Sequence, residues 1–333
     1  MDTTEFDVGQ QKEHVEKAGA FARIFMTNLS TMVPEEFNIP AMVLSSDTGA
    51  LIREHVTKAP QVAHFSSRGP DPINPSILKP DIIAPGVDVL AAFPPNKKYI
   101  FSLKNYDLAT NYALMSGTSM AAPHVAAVAA LLKAVHREWS PAAIRSAIMT
   151  TAYTDDNTHT TIKEQRGSLP ATPLDFGAGL INPNKAMDPG LIYDMDVQDY
   201  IEFLCGLGYN AKQMRAVIRQ RRWSCSAQPT ELNYPSFMAI FDGKDFPRAK
   251  NFSRVVTNVG NKKSIYRAVL EVPSGMRIAV EPNTLKFTKR HQKQYFRLSL
   301  EIESIAPNTT YGYLKWVDQY NHIVSSPVVA MNH

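Results

Sequence analysis

Residues 120–135 are apolar on nearly every helical face, interrupted only by His124 and Lys133. A helix of that kind predicts a buried element with neighbours all around it. Pro123 is compatible with it because it falls in the first turn, where no intrahelical bond needs its missing N–H. Ahead of the run lie a short apolar stretch, residues 111–115, and the tight sequence Ser116-Gly-Thr-Ser119. Behind it, Ser140-Pro141 supplies an N-cap and an N1 proline for a second helix reaching about Ala152. Residues 82–84 and 87–92 read as further short buried strands. Strand, tight turn, buried helix and second helix together make an α/β unit.

The flanks differ in texture. Residues 13–22 carry a helical pattern, and residues 24–26 and 41–44 read as short buried strands. Turn signals are dense from 60 to 190, among them Arg68-Gly-Pro70, Asn74-Pro75 and Pro85-Gly86. Residues 199–204 and 211–222 are helical in pattern. Lys212, Arg215, Arg219, Arg221 and Arg222 form a basic cluster there. It reads either as a site for an acidic partner or as the solvated face of a helix burying Met214, Val217 and Ile218. From about 229 the pattern becomes alternating. Runs over 252–258, 265–272, 277–281, 295–302, 311–317 and 323–329, separated by turn residues, predict a β-sandwich.

The chain has 333 residues, 44% hydrophobic and 20% charged, so two or three packed domains are expected. A net charge of +4 over that length argues for neither a nucleic-acid nor a membrane partner. No run approaches the roughly 18 consecutive apolar residues of a membrane helix. Residues 1–17 lack an apolar core and do not form a signal peptide. Sequons at Asn28, Asn251 and Asn308 nevertheless suit an exported protein. Cys205 and Cys225 fit one disulfide closing a short loop, or two free buried thiols. No metal-ligand cluster stands out, and no cofactor is expected.

Ser119 is the residue with chemistry to offer. A serine where a strand turns into a helix stands at the positive end of the helix dipole. It is surrounded by N–H groups that have no partner inside the helix. Such an N–H can donate to an oxyanion. Gly117 would let a substrate chain approach the backbone closely. The alternative is that Ser119 does no more than cap the helix.

Ser116-Gly-Thr-Ser-Met-Ala-Ala-Pro-His124 resembles the nucleophile motif of the subtilisin-like serine proteases, with the serine at Ser119. Other segments resemble the plant branch of that family in order and spacing. They include Phe65-Ser-Ser-Arg-Gly-Pro70, Leu78-Lys-Pro-Asp-Ile-Ile-Ala-Pro-Gly86, Phe176-Gly-Ala-Gly-Leu-Ile-Asn-Pro183, Asp188-Pro-Gly-Leu-Ile-Tyr-Asp194 and Leu232-Asn-Tyr-Pro-Ser236. The resemblance spans almost the whole chain. It implies an α/β subtilisin-like parallel-sheet domain, incomplete here, followed by an all-β fibronectin type III-like sandwich. Residues 1–58 would end a protease-associated insertion, 59–190 would belong to the catalytic domain, 191–228 to a helical linker and 229–333 to the sandwich. It further implies a secreted endopeptidase, extracellular or in the cell wall, that cleaves polypeptides through an acyl-enzyme on Ser119. Ser67, Arg68, Gly69, Ser116 and Gly117 would line the substrate cleft. Homo-oligomers are left open as partners; nucleic acid and membranes are not expected.

The family mechanism also needs a histidine base and an aspartate that orients it. In the family's order both precede the serine by hundreds of residues, and neither motif is found here. Ser46-Asp-Thr-Gly49 superficially resembles the aspartate motif, but no His-Gly-Thr follows, and it reads as a turn. His124 belongs to the nucleophile motif without being the base, and His55, His64 and His136 lack a base context. The expectation is an incomplete chain that is inactive by itself. The alternative is a shortened, non-catalytic product that binds protein through its sandwich or basic helix.

Overall fold

Two short apolar runs pair as parallel strands, β1 (Arg23–Met26) and β2 (Ala41–Leu44), with Arg23 opposite Ala41 and Met26 opposite Leu44. They lie in the first of two compact units, Met1–Gln61 with Asp156–Thr160; the second comprises Val62–Asp155 and Thr161–His333. The computed structural model describes residues 17, 23–26, 41–44, 60–96, 111–165, 169–220, 222–226, 231–241, 248–260, 263–303 and 307–332. The Asn28 sequon, residues 46–49, His55, Arg221 and all of the expected helix over 13–22 except a helical Lys17 lie outside them.

The segment up to 192 holds β3 (Gln61–Val62), β4 (Val89–Ala92), β5 (Tyr112–Met115), α1 (Thr118–Val135), α2 (Pro141–Thr150), β6 (Lys163–Glu164), α3 (Pro173–Phe176), α4 (Pro183–Ala186) and β7 (Leu191–Ile192). β4 and β5 pair antiparallel, Val89 opposite Met115. The sequence predicts buried strands here, yet Leu90, Tyr112 and Leu114 are mostly exposed. Residues 82–84 are half-buried and form no named strand. Ile83 makes a single parallel bridge to Leu180, donating to Gly179 O and accepting from Ile181 N.

α1 departs furthest from its prediction. Only Val128 and Leu132 are buried, while Leu131 and Val135 stand about 60% exposed. The reason is one-sided support: Val128 and Leu132 share a cluster with Trp139, Ala143, Ala147 and Ile181, and the other faces of the helix are left largely open. By length and composition alone, its 18 residues also meet the demands of a bilayer span. α2 does what its sequence asks. Ser140 caps it, accepting from Ala143 N, and Pro141 fills N1. Its buried small residues, Ala142, Ala143, Ser146 and Ala147, let it pack closely.

Two helices follow, α5 (Val197–Gly206) and α6 (Ala211–Ile218), each opened by a capping box, at Asp196 and Asn210. α6 buries Met214 alone; Val217 is exposed and Ile218 half-buried, against the expectation that all three would be buried. Lys212, Arg215, Arg219 and Arg222 are exposed around it. Cys205 and Cys225 are joined in a disulfide, Cα to Cα 5.9 Å.

The remaining strands are β8 (Phe237–Phe241), β9 (Arg248–Asn258), β10 (Ser264–Glu271), β11 (Met276–Glu281), β12 (Thr284–Phe287), β13 (Lys293–Ile302), β14 (Thr309–Val317) and β15 (Ile323–Asn332). They build a five-stranded sheet, β12-β10-β14-β15-β8, facing a four-stranded one, β11-β13-β9-β7. Strict alternation sorts the side chains: Leu314 and Trp316 of β14 and Phe296, Leu298, Leu300 and Ile302 of β13 turn inward. Each such fully buried side chain contributes about 1.5–3 kcal/mol. β7 lies ahead of α5, yet it pairs with β9, Leu191 opposite Asn258. Together with α2, which packs on β15, it joins the helical segment to the sandwich.

Candidate active site

Ser119 is the second residue of α1, directly after the strand β5. The cap position belongs to Gly117, and no side chain caps the helix. The capping role that competes with the nucleophile reading is therefore not the one Ser119 plays. Its side chain is exposed. As a first-turn residue, its amide has no partner within the helix and sits at the positive end of the dipole.

The turn is held from one side. Gly117 N donates to Gly86 O at 2.8 Å. Ser116 Oγ accepts from Asp88 N at 2.8 Å and donates to Asp88 Oδ1 at 3.1 Å. Asp88 sits at φ 50°, in the left-handed region that an Asp tolerates better than most residues. Gly86 is required by contact: a Cβ there would meet Gly117 O at 2.9 Å and the Ala121 Cβ at 3.2 Å. Gly117 is different. Among the described residues a Cβ on it would meet nothing closer than 3.7 Å, so their packing does not demand a glycine and they leave the space beside Ser119 open. Gly86 was legible in the sequence only as a turn, and Asp88 was read as part of a strand over 87–92, whereas the strand begins at Val89; their hold on Ser116 and Gly117 depends on the pairing of β4 with β5.

The structure separates the two groups of expected cleft residues by their partners. Ser116, Gly117 and Ser119 share the β5–α1 turn. Arg68 and Gly69, which follow Ser67, are tied to β6 and α3. Arg68 forms ion pairs with Glu164 and Asp175, both at 2.8 Å. Gly69 N donates to Leu174 O at 2.8 Å, and a Cβ on Gly69 would overlap Lys79 O at 2.1 Å. That close approach explains the glycine, and the paired carboxylates account for the Arg68 charge.

Three of the described imidazoles have partners away from Ser119. His124 Nδ1 is 2.8 Å from Met120 O on its own helix. His136 reaches Met187 O and stacks on Trp139, and His64 meets Gln165. Among the described residues, no imidazole bonds the Ser119 hydroxyl. No cluster of metal-ligating side chains is found among them either. A cavity of about 260 Å³ opens at another place, between Ile77, Phe203, Leu232, Tyr234 and Arg254. Its one buried cation is already satisfied by protein groups, and the nucleophile does not line it.

Comparison with known proteins places this turn in context. The model described as Subtilase family matches residues 18–179, and the one described as Fibronectin type-III domain matches residues 231–330. Subtilisin-like protease SBT3 of Solanum lycopersicum is 46% identical over 276 residues, which is 81% of this chain and 36% of that protein. Subtilisin-like protease SBT1.7 of Arabidopsis thaliana is 38% identical over 347 residues, 96% of this chain and 45% of that one. Subtilisin-like protease SBT3.6 of the same plant is 44% identical over 269 residues, 79% and 33% respectively. The chain thus spans less than half the length of these curated relatives.

Proposed function

This chain belongs to the plant subtilisin-like protease family, and from that premise we propose that it is the nucleophile-bearing part of a serine endopeptidase, with Ser119 as the attacking residue. The observation that carries the reading is an exposed, uncapping serine in the first turn of α1, beside a glycine whose outer side is left open by the described residues. Ser119 Oγ would attack the carbonyl carbon of a peptide bond and pass its proton to a histidine base. The carbonyl oxygen, now negative, would accept from the Ser119 amide. Loss of the amine leaving group gives an acyl-enzyme, which water hydrolyses. The base and its aspartate would come from the part of the family fold outside this segment. In the same proposal that part completes a parallel sheet begun at the Ile83–Leu180 bridge. It also covers the open faces of α1, whose composition suits a core helix.

Ser116 and Gly117 would line the substrate cleft, with Ser67, Arg68 and Gly69 added from the family resemblance. Substrates are polypeptides; neither nucleic acid, membrane nor cofactor enters the proposal, and self-association remains open within it. Residues 1–58 would end a protease-associated insertion and 191–228 would link the catalytic part to the sandwich. We place the protein outside the cell, in the extracellular space or wall, with Asn251 and Asn308 as exposed glycan acceptors and Asn28 as a third.

The test is a fluorophosphonate probe applied to a chimera in which this chain replaces the aligned part of the tomato relative. Ser119→Ala should abolish labelling and lower peptidase turnover by about 10⁶, the loss found for subtilisin, the namesake of this family. Labelling that survives the substitution would overturn the assignment. A second reading rests on the absence of an imidazole at Ser119 among the described residues: by itself the chain would be a non-catalytic, protein-binding module. Probe labelling of the isolated chain at the chimera's rate would dismiss that reading.

A further inference from the structure

The turn between β14 and β15 carries a histidine set between two carboxylates. His322 Nδ1 is 2.8 Å from Asp318 Oδ2, and His322 Nε2 is 3.1 Å from Asp188 Oδ2. Asp318 is anchored from within the turn, its Oδ1 accepting from Tyr320 N and His322 N, both at 2.9 Å. Asp188 comes from the segment between α4 and β7, which carries the chain from the helices into the sandwich. Its side chain is 71% exposed, against 0% for Asp318 and 11% for His322.

A carboxylate only accepts, so each ring nitrogen that faces one must donate. Only the doubly protonated imidazolium donates from both nitrogens; a neutral ring satisfies one carboxylate and turns a lone pair toward the other. We propose that His322 is a pH-sensitive latch that fastens the Asp188–Gly190 turn to the β14–β15 corner of the sandwich and lets it go as the pH rises. Asp318, buried and held by two backbone amides, keeps its bond. Exposed Asp188 is the partner that leaves.

The surroundings agree with this division. Around the ring stand Asp318 of its own turn, Asp188 of the α4–β7 segment, the Tyr266 phenol of β10, and the backbone of Gly190 and Gly260. Burial, and next the Asp318 charge, push the Tyr266 phenol far up, so it stays neutral throughout. Burial pulls the His322 pKa down, but hydrogen bonds to Asp318 and then Asp188 outweigh it, leaving it above the ordinary 6.5. A group with a raised folded pKa contributes stability in full below 6.5, and loses it as the pH climbs through the folded value. The neighbouring attachment is of another kind: His136 Nε2 lies 2.9 Å from the Met187 carbonyl, and no carboxylate enters that contact.

The test uses the whole chain with ¹³C-labelled histidine, and follows His322 by NMR alongside hydrogen exchange of Val259 and Gly260. Those two amides donate to Gly190 O at 2.9 and 3.1 Å and report whether the turn is seated. His322 should titrate above 6.5, and Asp188→Asn should bring its midpoint down. Protection of the two amides, corrected for intrinsic exchange, should fall with rising pH by up to tenfold for each unit that the midpoint exceeds 6.5. In Asp188→Asn that pH dependence should shrink. A His322 midpoint at or below 6.5, a midpoint unmoved by Asp188→Asn, or protection that ignores the titration would each overturn the latch. His322→Gln serves as a second variant whose amide protection should not respond to this titration.

Discussion

Replacing Arg254 by Met tests whether the sandwich is held to its leading segment by a buried guanidinium. The side chain is 4% exposed and lies 5.0 Å from the Phe237 ring and 5.4 Å from that of Phe252. Nε donates to Tyr234 O at 3.1 Å, Nη2 to Ser236 O at 3.3 Å, and Nη1 to Ser253 O and to Glu231 Oε2, both at 3.0 Å. Methionine would fill similar space between the rings but give nothing to the carbonyls. Those of Tyr234 and Ser236 belong to buried residues and would be stranded at about 1–3 kcal/mol each. Ser253 is exposed, and Glu231 is 42% exposed, so water takes over there. Relief of the guanidinium's desolvation, which alone lowers its pKa before Glu231 pulls it back, offsets part of the loss. We expect a net cost of about 3 kcal/mol, or a fall of roughly 12–24 °C in Tm for a sandwich of this size. Urea unfolding followed by circular dichroism would measure it, with Glu231→Gln as control at under about 1 kcal/mol. The cost should be the same at about pH 5 and pH 8, because a guanidinium does not titrate there. An Arg254→Met protein within about 1 kcal/mol of the parent, or a control as costly as the variant, would refute the reasoning.

Two further perturbations address the joints on either side. Gly190→Ala should cost about 1–3 kcal/mol. Its φ is +77°, and a Cβ would lie 2.4 Å from the Tyr266 hydroxyl and 2.9 Å from the His322 side chain. Adding Tyr266→Phe should return part of the loss in thermal unfolding, and no recovery would show that backbone strain alone is at work. The Cys205→Ser/Cys225→Ser pair opens a loop of 20 residues, which loop-closure entropy values at about 3 kcal/mol. Only Ile201 and Met214 are buried in α5 and α6. The loss should therefore be local and appear as faster proteolysis within 206–224, with unfolding of the sandwich unchanged.

The strands of the sandwich were legible because alternation maps directly onto a two-faced sheet. Six of them lie where the period-two runs fall, with ends shifted by a few residues. β8, β12 and β7 were not legible. Thr284–Phe287 is too short to show a period, and Leu191–Ile192 is a strand only because Asn258 and Thr257 lie opposite. At the candidate site the motif around Ser119 was legible, as was the helix it opens. What keeps the turn in place was not. Gly86 and Asp88 lie some thirty residues upstream, and nothing local announces that they meet Ser116 and Gly117.

By itself the sequence determined local facts: the helix start at Ser140, a helix beginning near residue 211, the inward face of each long strand, and the family that the motif around Ser119 resembles. These depend on neighbours a few residues apart, where capping and side-chain period act. Only the tertiary structure decided burial and partnership. The sequence marks α1 as a helix to be covered on all sides, but coverage is a property of neighbouring elements, and those described support it on one side only. The same holds for His322. Its numbering places it 134 residues from Asp188, and only folding brings the two carboxylates to opposite nitrogens of one ring.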